Sequence, residues 1–165
     1  MTGDPLAFEL FNEIGIIDQL AGTIFDRAIP KGMTRAQFTV LNHFIRLGLV
    51  EQSPSELASA FQITKPTMTS TLARMERSGL IMIRADPADG RGKRVSLTPH
   101  GIAMRQICLD ALGPSFPLLD EIISGPELQS LLHGLRRLRI GLDARRDISS
   151  GNGKPAGGGG QPVEK

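Results

Sequence analysis

The chain has 165 residues, 40% of them hydrophobic and 22% charged, with a formal net charge of +2; this is the profile of an ordinary globular chain forming one domain or two small lobes. No apolar run approaches the ~20 residues of a membrane helix, and a single cysteine, Cys108, excludes an internal disulfide or a multi-cysteine metal site. Tryptophan and tyrosine are absent, which removes the usual aromatic platform for stacking single-stranded bases. The charge is uneven. Residues 53–105 carry eight basic and four acidic side chains, whereas residues 1–52 and 106–147 are net negative, so the middle third favours a polyanionic partner. Asp4, Glu9 and Glu13 stand where a signal peptide carries cations, and a cytoplasmic location is expected.

In chain order, Leu10, Ile14, Ile17, Ala21, Ile24 and Ala28 recur at spacings of three and four, predicting one long amphipathic helix over 6–28 that ends before Pro30 and Gly32. Thr34 and Gln37 form a capping box, Met33 and Phe38 a hydrophobic staple. Phe38, Leu41, Phe44 and Ile45 carry the inner stripe of this second helix up to Gly48. In "SPSE" (53–56), a capping serine precedes a proline at the first helical position and a glutamate at the third; this short helix ends near Phe61. After three residues Thr64 caps another, in which Pro66 is tolerated because it lies in the first turn. "LIMIR" (80–84) and "KRVSL" (93–97) read as short strands flanking the loop "DPADGRGKRV" (86–95), with the glycines shaping a turn and Arg91 at its apex. Thr98 and Pro99 restart helix past Ile107 and Leu112, Pro114 and Pro117 break it, and Ser124 caps a last helix with a leucine stripe. From Ser149 on, Gly, Pro and polar residues predict a disordered tail, 149–165.

Helix, tight turn, helix, hairpin, helix is the order of a winged helix-turn-helix, giving a mainly α fold with a small β-hairpin wing. At about 100° per residue, Met68, Leu72 and Met75 of the second helix point inward. Pro66, Ser70, Ala73 and Arg77 point outward, flanked by Thr67, Arg74 and Thr69. Such a face is small and hydroxylated at its start and cationic at its end, suited to a major groove. The candidate DNA-binding residues are Lys65, Pro66, Thr67, Thr69, Ser70, Arg74 and Arg77 on this helix and Arg91, Lys93 and Arg94 on the hairpin. Arg91 is expected in a minor groove, with Lys93 and Arg94 on phosphates. An enzymatic phosphate loop is excluded: it needs G-x-x-x-x-G-K-[ST] between strand and helix, whereas Gly92-Lys93 is followed by Arg94 and a strand. Cys108, among Ile107 and Leu109, reads as a buried, inert thiol. His43, His100 and His133 lack an i, i+4 partner, so no zinc site is expected. No catalytic arrangement can be argued from spacing, and neither an enzyme nor a cofactor is expected.

The run "LASAFQITKPTMTSTLARMERSGLIMIRADPADGRGKRVSLTPHG" resembles the core of the MarR family of transcription regulators. The matching pieces include Leu57-Ala58, Ile63-Thr64, Thr67-Met68-Thr69, Gly79-Leu80 and the D-x-R wing signature at Asp89-Gly90-Arg91. The resemblance implies a homodimer, more often a repressor than an activator, whose first and last helices interlock while two winged lobes read a pseudo-palindromic operator in duplex DNA. The long apolar stripes of the first and last helices, too extensive for one small lobe to bury, point the same way. The domain is then 6–148, with a DNA-binding lobe at 34–98 between dimerisation helices at 6–33 and 99–148. The resemblance also implies a small aromatic or phenolic ligand between the dimerisation helices and the lobe, with Phe38, Phe44, Arg46 and Met104 as candidate contacts. Gly90 departs from a frequent arginine of the family and Thr71 from a usually apolar position, while Pro114 and Pro117 interrupt a helix that many relatives keep straighter. The alternative reading of the residues is a winged-helix module for protein–protein assembly that docks its basic face on an acidic partner.

Overall fold

A computed structural model describes residues 4–150, and the side chains up to residue 145. These comprise α1 (Leu6–Ala28), α2 (Arg35–Leu47), α3 (Pro54–Ala60), α4 (Lys65–Arg77), strands β1 (Ile81–Asp86) and β2 (Asp89–Leu97), α5 (Pro99–Leu112), a 3-10 turn (Gly113–Ser115), α6 (Pro117–Ile122) and α7 (Gly125–Ser150). The helix starts follow local chemistry. Thr34 with Gln37 and Ser53 with Glu56 form reciprocal capping boxes, and the hydroxyls of Thr64 and Thr98 accept from the backbone N–H three residues on, satisfying amides that a helix start leaves open. Gly48 ends α2 in the left-handed conformation, φ 64°. The chain forms two compact units, one to Phe116 and one from Pro117.

The core of the first unit is shared by α2, α3, α4 and the hairpin: Leu41, Phe44, Leu57, Met68, Leu72, Met75 and Val95 are fully buried, with Val40, Leu80 and Ile81 beside them. The inward face of α2 is Gln37, Val40, Leu41, His43 and Phe44. Ile45, expected on that stripe, is instead exposed, because Val40 and Leu41 set the phase of the buried face one step earlier in the turn. Thr71 is buried, and its hydroxyl donates to the Thr67 carbonyl at 3.1 Å, so a polar group in this usually apolar position is satisfied within the helix. Gly101 lets the start of α5 meet the end of the α4–β1 corner: a Cβ there would fall 2.0 Å from the Leu80 carbonyl oxygen.

The strands pair antiparallel, Ile81 with Leu97 through Ala85 with Lys93 and then Asp86 with Asp89. The hairpin turns earlier in the chain than the sequence predicts. The turn is Pro87-Ala88, with the Asp86 carboxylate accepting from the Ala88 N–H at 2.9 Å, the Asx geometry that aspartate favours. Gly90 and Gly92 are strand residues, and Arg91 is not at the apex. Between the Ala85 and Asp86 pairs β2 advances four residues for one on β1, so Gly90-Arg91-Gly92 bulges from the ladder.

The broken helix after α5 follows Pro114 and Pro117, which cannot donate into a continuous helix. In the second unit, Ser124 and Glu127 form the expected start of α7, the Ser124 N–H donating to Glu127 Oε2 at 3.0 Å. Helix α7 reaches Ser150, two residues into the stretch predicted to lack structure; residues 151–165 of that tail lie outside the described residues.

Candidate nucleic-acid interface

Helix α4 is positioned by its own buried face. Met68, Thr71, Leu72 and Met75 lock it to the core, which leaves Lys65, Pro66, Thr67, Thr69, Ser70, Ala73, Arg74 and Arg77 exposed. The predicted outward face is therefore on the surface. Not all its hydroxyls are free: Thr67 Oγ1 lies 2.8 Å from Thr64 Oγ1. Four residues, Phe61 to Thr64, separate α3 from α4, and Gln62 among them sits at φ 53°, a left-handed turn position that a non-glycine residue occupies at some cost.

The hairpin is tied to the helices at three points. Glu76 of α4 accepts from the Ile83 N–H at 3.1 Å. The Gln52 and Val95 backbones exchange hydrogen bonds at 3.1 and 2.8 Å, making a one-residue third strand. The Gln52 side chain in turn receives His43 Nε2 at 3.0 Å. His43 is 9% exposed, and burial, followed by the nearby Arg46 charge, holds its pKa below the ordinary value. Gln52 belongs to no local motif, and the family match at Met75-Glu76 gives Glu76 no partner. Only their contacts across the fold reveal them, although a lone histidine on the inner face of α2 asks for a polar partner.

At the wing, Arg91 and Lys93 are exposed, and the Asp89 carboxylate accepts from the Arg91 backbone N–H at 3.0 Å, bracing the bulge rather than the guanidinium. Arg94 differs. Its Nε lies 2.7 Å from Asp86 Oδ2 and its Nη1 3.6 Å from Glu56 Oε2. The guanidinium thus joins both strands and the start of α3. The carboxyl of Asp86 is held below its usual range by the Ala88 N–H first and by Arg94 next; the Glu56 carboxyl is lowered by the Ser53 backbone N–H. Between α4 and the hairpin runs an open groove of about 650 Å³, with Thr69 and Ala73 on one wall and Arg91 and Lys93 on the other.

The four ligand candidates sit in different surroundings. Phe44 is in the core at 1% exposure, Phe38 packs on Phe25 at 4.8 Å between ring centroids, Met104 packs partly buried against the core, and Arg46 is on the surface. Cys108 is buried, and burial raises its thiol pKa, the opposite of an activated thiolate. Among the described residues no helix is long and apolar enough to cross a membrane.

A helix-turn-helix flanked by a braced, cationic hairpin defines a winged-helix DNA-binding protein. Comparison with known proteins sharpens the class. A profile of the MarR family matches residues 31–92. The homoprotocatechuate degradative operon repressor of Escherichia coli is 28% identical over 109 residues, 63% of this chain and 74% of the relative. A crystal structure of MarR superposes with a TM-score of 0.76 at 25% identity, covering 90% of this chain and 98% of that one. A cysteine-to-serine mutant of MarR from E. coli, complexed with operator DNA, gives 0.67 at 25% identity, covering 82% and 99%. Residues 31–92 thus match the MarR family of transcriptional regulators, and the described fold is that of MarR structures.

Proposed function

We propose that the protein represses transcription as a homodimer on a pseudo-palindromic operator, α4 of each copy in a major groove and Arg91 in the adjoining minor groove. The observation that carries this reading is the exposed face of α4, small at its start and cationic at Arg74 and Arg77, set beside a wing whose Arg91 and Lys93 are free of carboxylate partners among the described residues. Thr69, Ser70 and Arg74 approach bases; Lys65, Pro66 and Thr67 sit at the helix start; Arg77 and Lys93 take phosphates. Arg94, engaged by Asp86 and Glu56, acts by holding the wing. Exposed apolar side chains on α1, among them Phe8, Phe11, Ile17 and Leu20, and on α7, Leu131, Leu132, Ile140 and Leu142, support self-association. Half-sites then lie about 10 bp apart, one turn of the duplex.

Release by a small aromatic ligand is part of the same reading. The name of the E. coli relative, which ties it to degradation of an aromatic acid, supports it, and Phe38, Met104 and Arg46 have surface available for such a molecule whereas Phe44 could only be its floor. The protein has no catalytic role in this scheme and works on DNA in the cytoplasm. Selection of bound duplexes from a random pool, followed by the mass of the complex, tests it. Enrichment of an inverted repeat bound by two chains is expected; retention of DNA without sequence preference would favour docking on an acidic protein instead.

A further inference from the structure

We infer that the operator half-site is read in large part through the 5-methyl groups of thymine, by Ala73 and Thr69 of α4. This rests on the DNA-binding reading above and says what chemistry that face selects. In a major groove, adenine is recognised by the bidentate amide of Asn or Gln, guanine by Arg or Lys, cytosine by a carboxylate, and the thymine methyl by small apolar groups such as Ala or the Thr methyl. Helix α4, Lys65–Arg77, contains neither Asn nor Gln, so its own side chains have no bidentate adenine reader. Its one carboxylate, Glu76, is committed to the Ile83 N–H at 3.1 Å and is not free to accept from cytosine. The arginines, Arg74 and Arg77, lie only in its last turn, and its one lysine, Lys65, stands at its first position.

What remains between Lys65 and Arg74 is small. The Thr67 hydroxyl is held by Thr64, and Thr71 is turned inward onto the Thr67 carbonyl. The hydroxyls of Thr69 and Ser70 have no protein partner among the described residues, and Pro66, Thr69, Ser70 and Ala73 are all exposed. With side chains this short the helix axis can approach the base edges closely, which places the Ala73 and Thr69 methyls at the depth where a thymine methyl projects. Thr69 and Ala73 share one wall of the groove facing the wing, so the thymines they meet lie on the wing side of the half-site.

The test replaces thymine by uracil, one position at a time, in a duplex enriched from a random pool, and measures binding of the full-length protein. The exchange removes only the methyl and cannot disturb the protein's fold. Each contacted thymine should lose about fourfold in affinity, the value of one buried methyl. At one such position Thr69→Ser, and at another Ala73→Gly, should bind thymine and uracil duplexes equally. Indifference to uracil at every position, with sequence selection intact, overturns the methyl readout and leaves the DNA-binding reading standing. Failure to enrich any sequence overturns both.

Discussion

Arg94 and Asp86 face each other across the hairpin, Nε 2.7 Å from Oδ2, with the Asp86 carboxylate simultaneously closing the turn on the Ala88 N–H. A single carboxylate therefore couples the shape of the turn to the cation that reaches Glu56 on α3. Arg94→Gln is expected to lower DNA affinity several-fold by freeing the wing, while the dependence of log K on log salt keeps its slope. Titrations at several salt concentrations read both quantities; a slope reduced by about one unit would instead place Arg94 on a phosphate.

Arg91 is the contrasting case. It rides a three-residue bulge, exposed, and its removal should weaken binding to every sequence and reduce the salt slope by about one unit. The same titrations on Arg91→Ala check this, and an unchanged slope would take the wing off the DNA.

At Gly101 the backbone of α5 touches Leu80 so closely that no Cβ fits: it would lie 2.0 Å from a carbonyl oxygen. Gly101→Ala must push α5 away from the α4–β1 corner. Overpacking of this kind costs about 1–3 kcal/mol, and urea unfolding should show a loss at the upper end. A wild-type midpoint would mean that α5 shifts freely.

Gln62 turns α3 into α4 at φ 53°. Glycine occupies that conformation without the ~1–2 kcal/mol that a Cβ costs, although Gln62→Gly also loses the side-chain bond from Nε2 to the Ser59 carbonyl at 2.7 Å. The expected balance is a gain of about 1 kcal/mol or less, seen as a small rise in Tm; a fall would show that the side-chain bond outweighs the strain.

His43 predicts the response to acid. Burial lowers its pKa from the ordinary 6.5, so the unfolded chain binds the proton first. Its contribution to stability is full above about pH 6.5 and declines as the pH falls through that value toward the lower pKa of the folded state. Tm should thus fall between pH 7.5 and 5.5, and His43→Gln should flatten that fall. An equal fall in the variant would assign it to other groups.

Much of this was legible in the sequence because it depends on neighbours three or four residues apart. The capping boxes at Thr34–Gln37 and Ser53–Glu56, the proline starts and the phase of Met68, Leu72 and Met75 are local, and together they determined the helices, their order, the outward face of α4 and hence the winged-helix class. The hairpin was the exception. Two glycines and a proline each offered a turn, and only pairing with β1 selected Pro87-Ala88, moving Arg91 onto a bulge. Contacts between distant residues were likewise decided only by the tertiary structure: Arg94 on Asp86 and Glu56, His43 on Gln52, and Gly101 against Leu80. Periodicity and caps say which side of an element is buried. Which charge in a basic run stays free is settled by the carboxylates that folding brings to it, and here that separates Arg91 from Arg94.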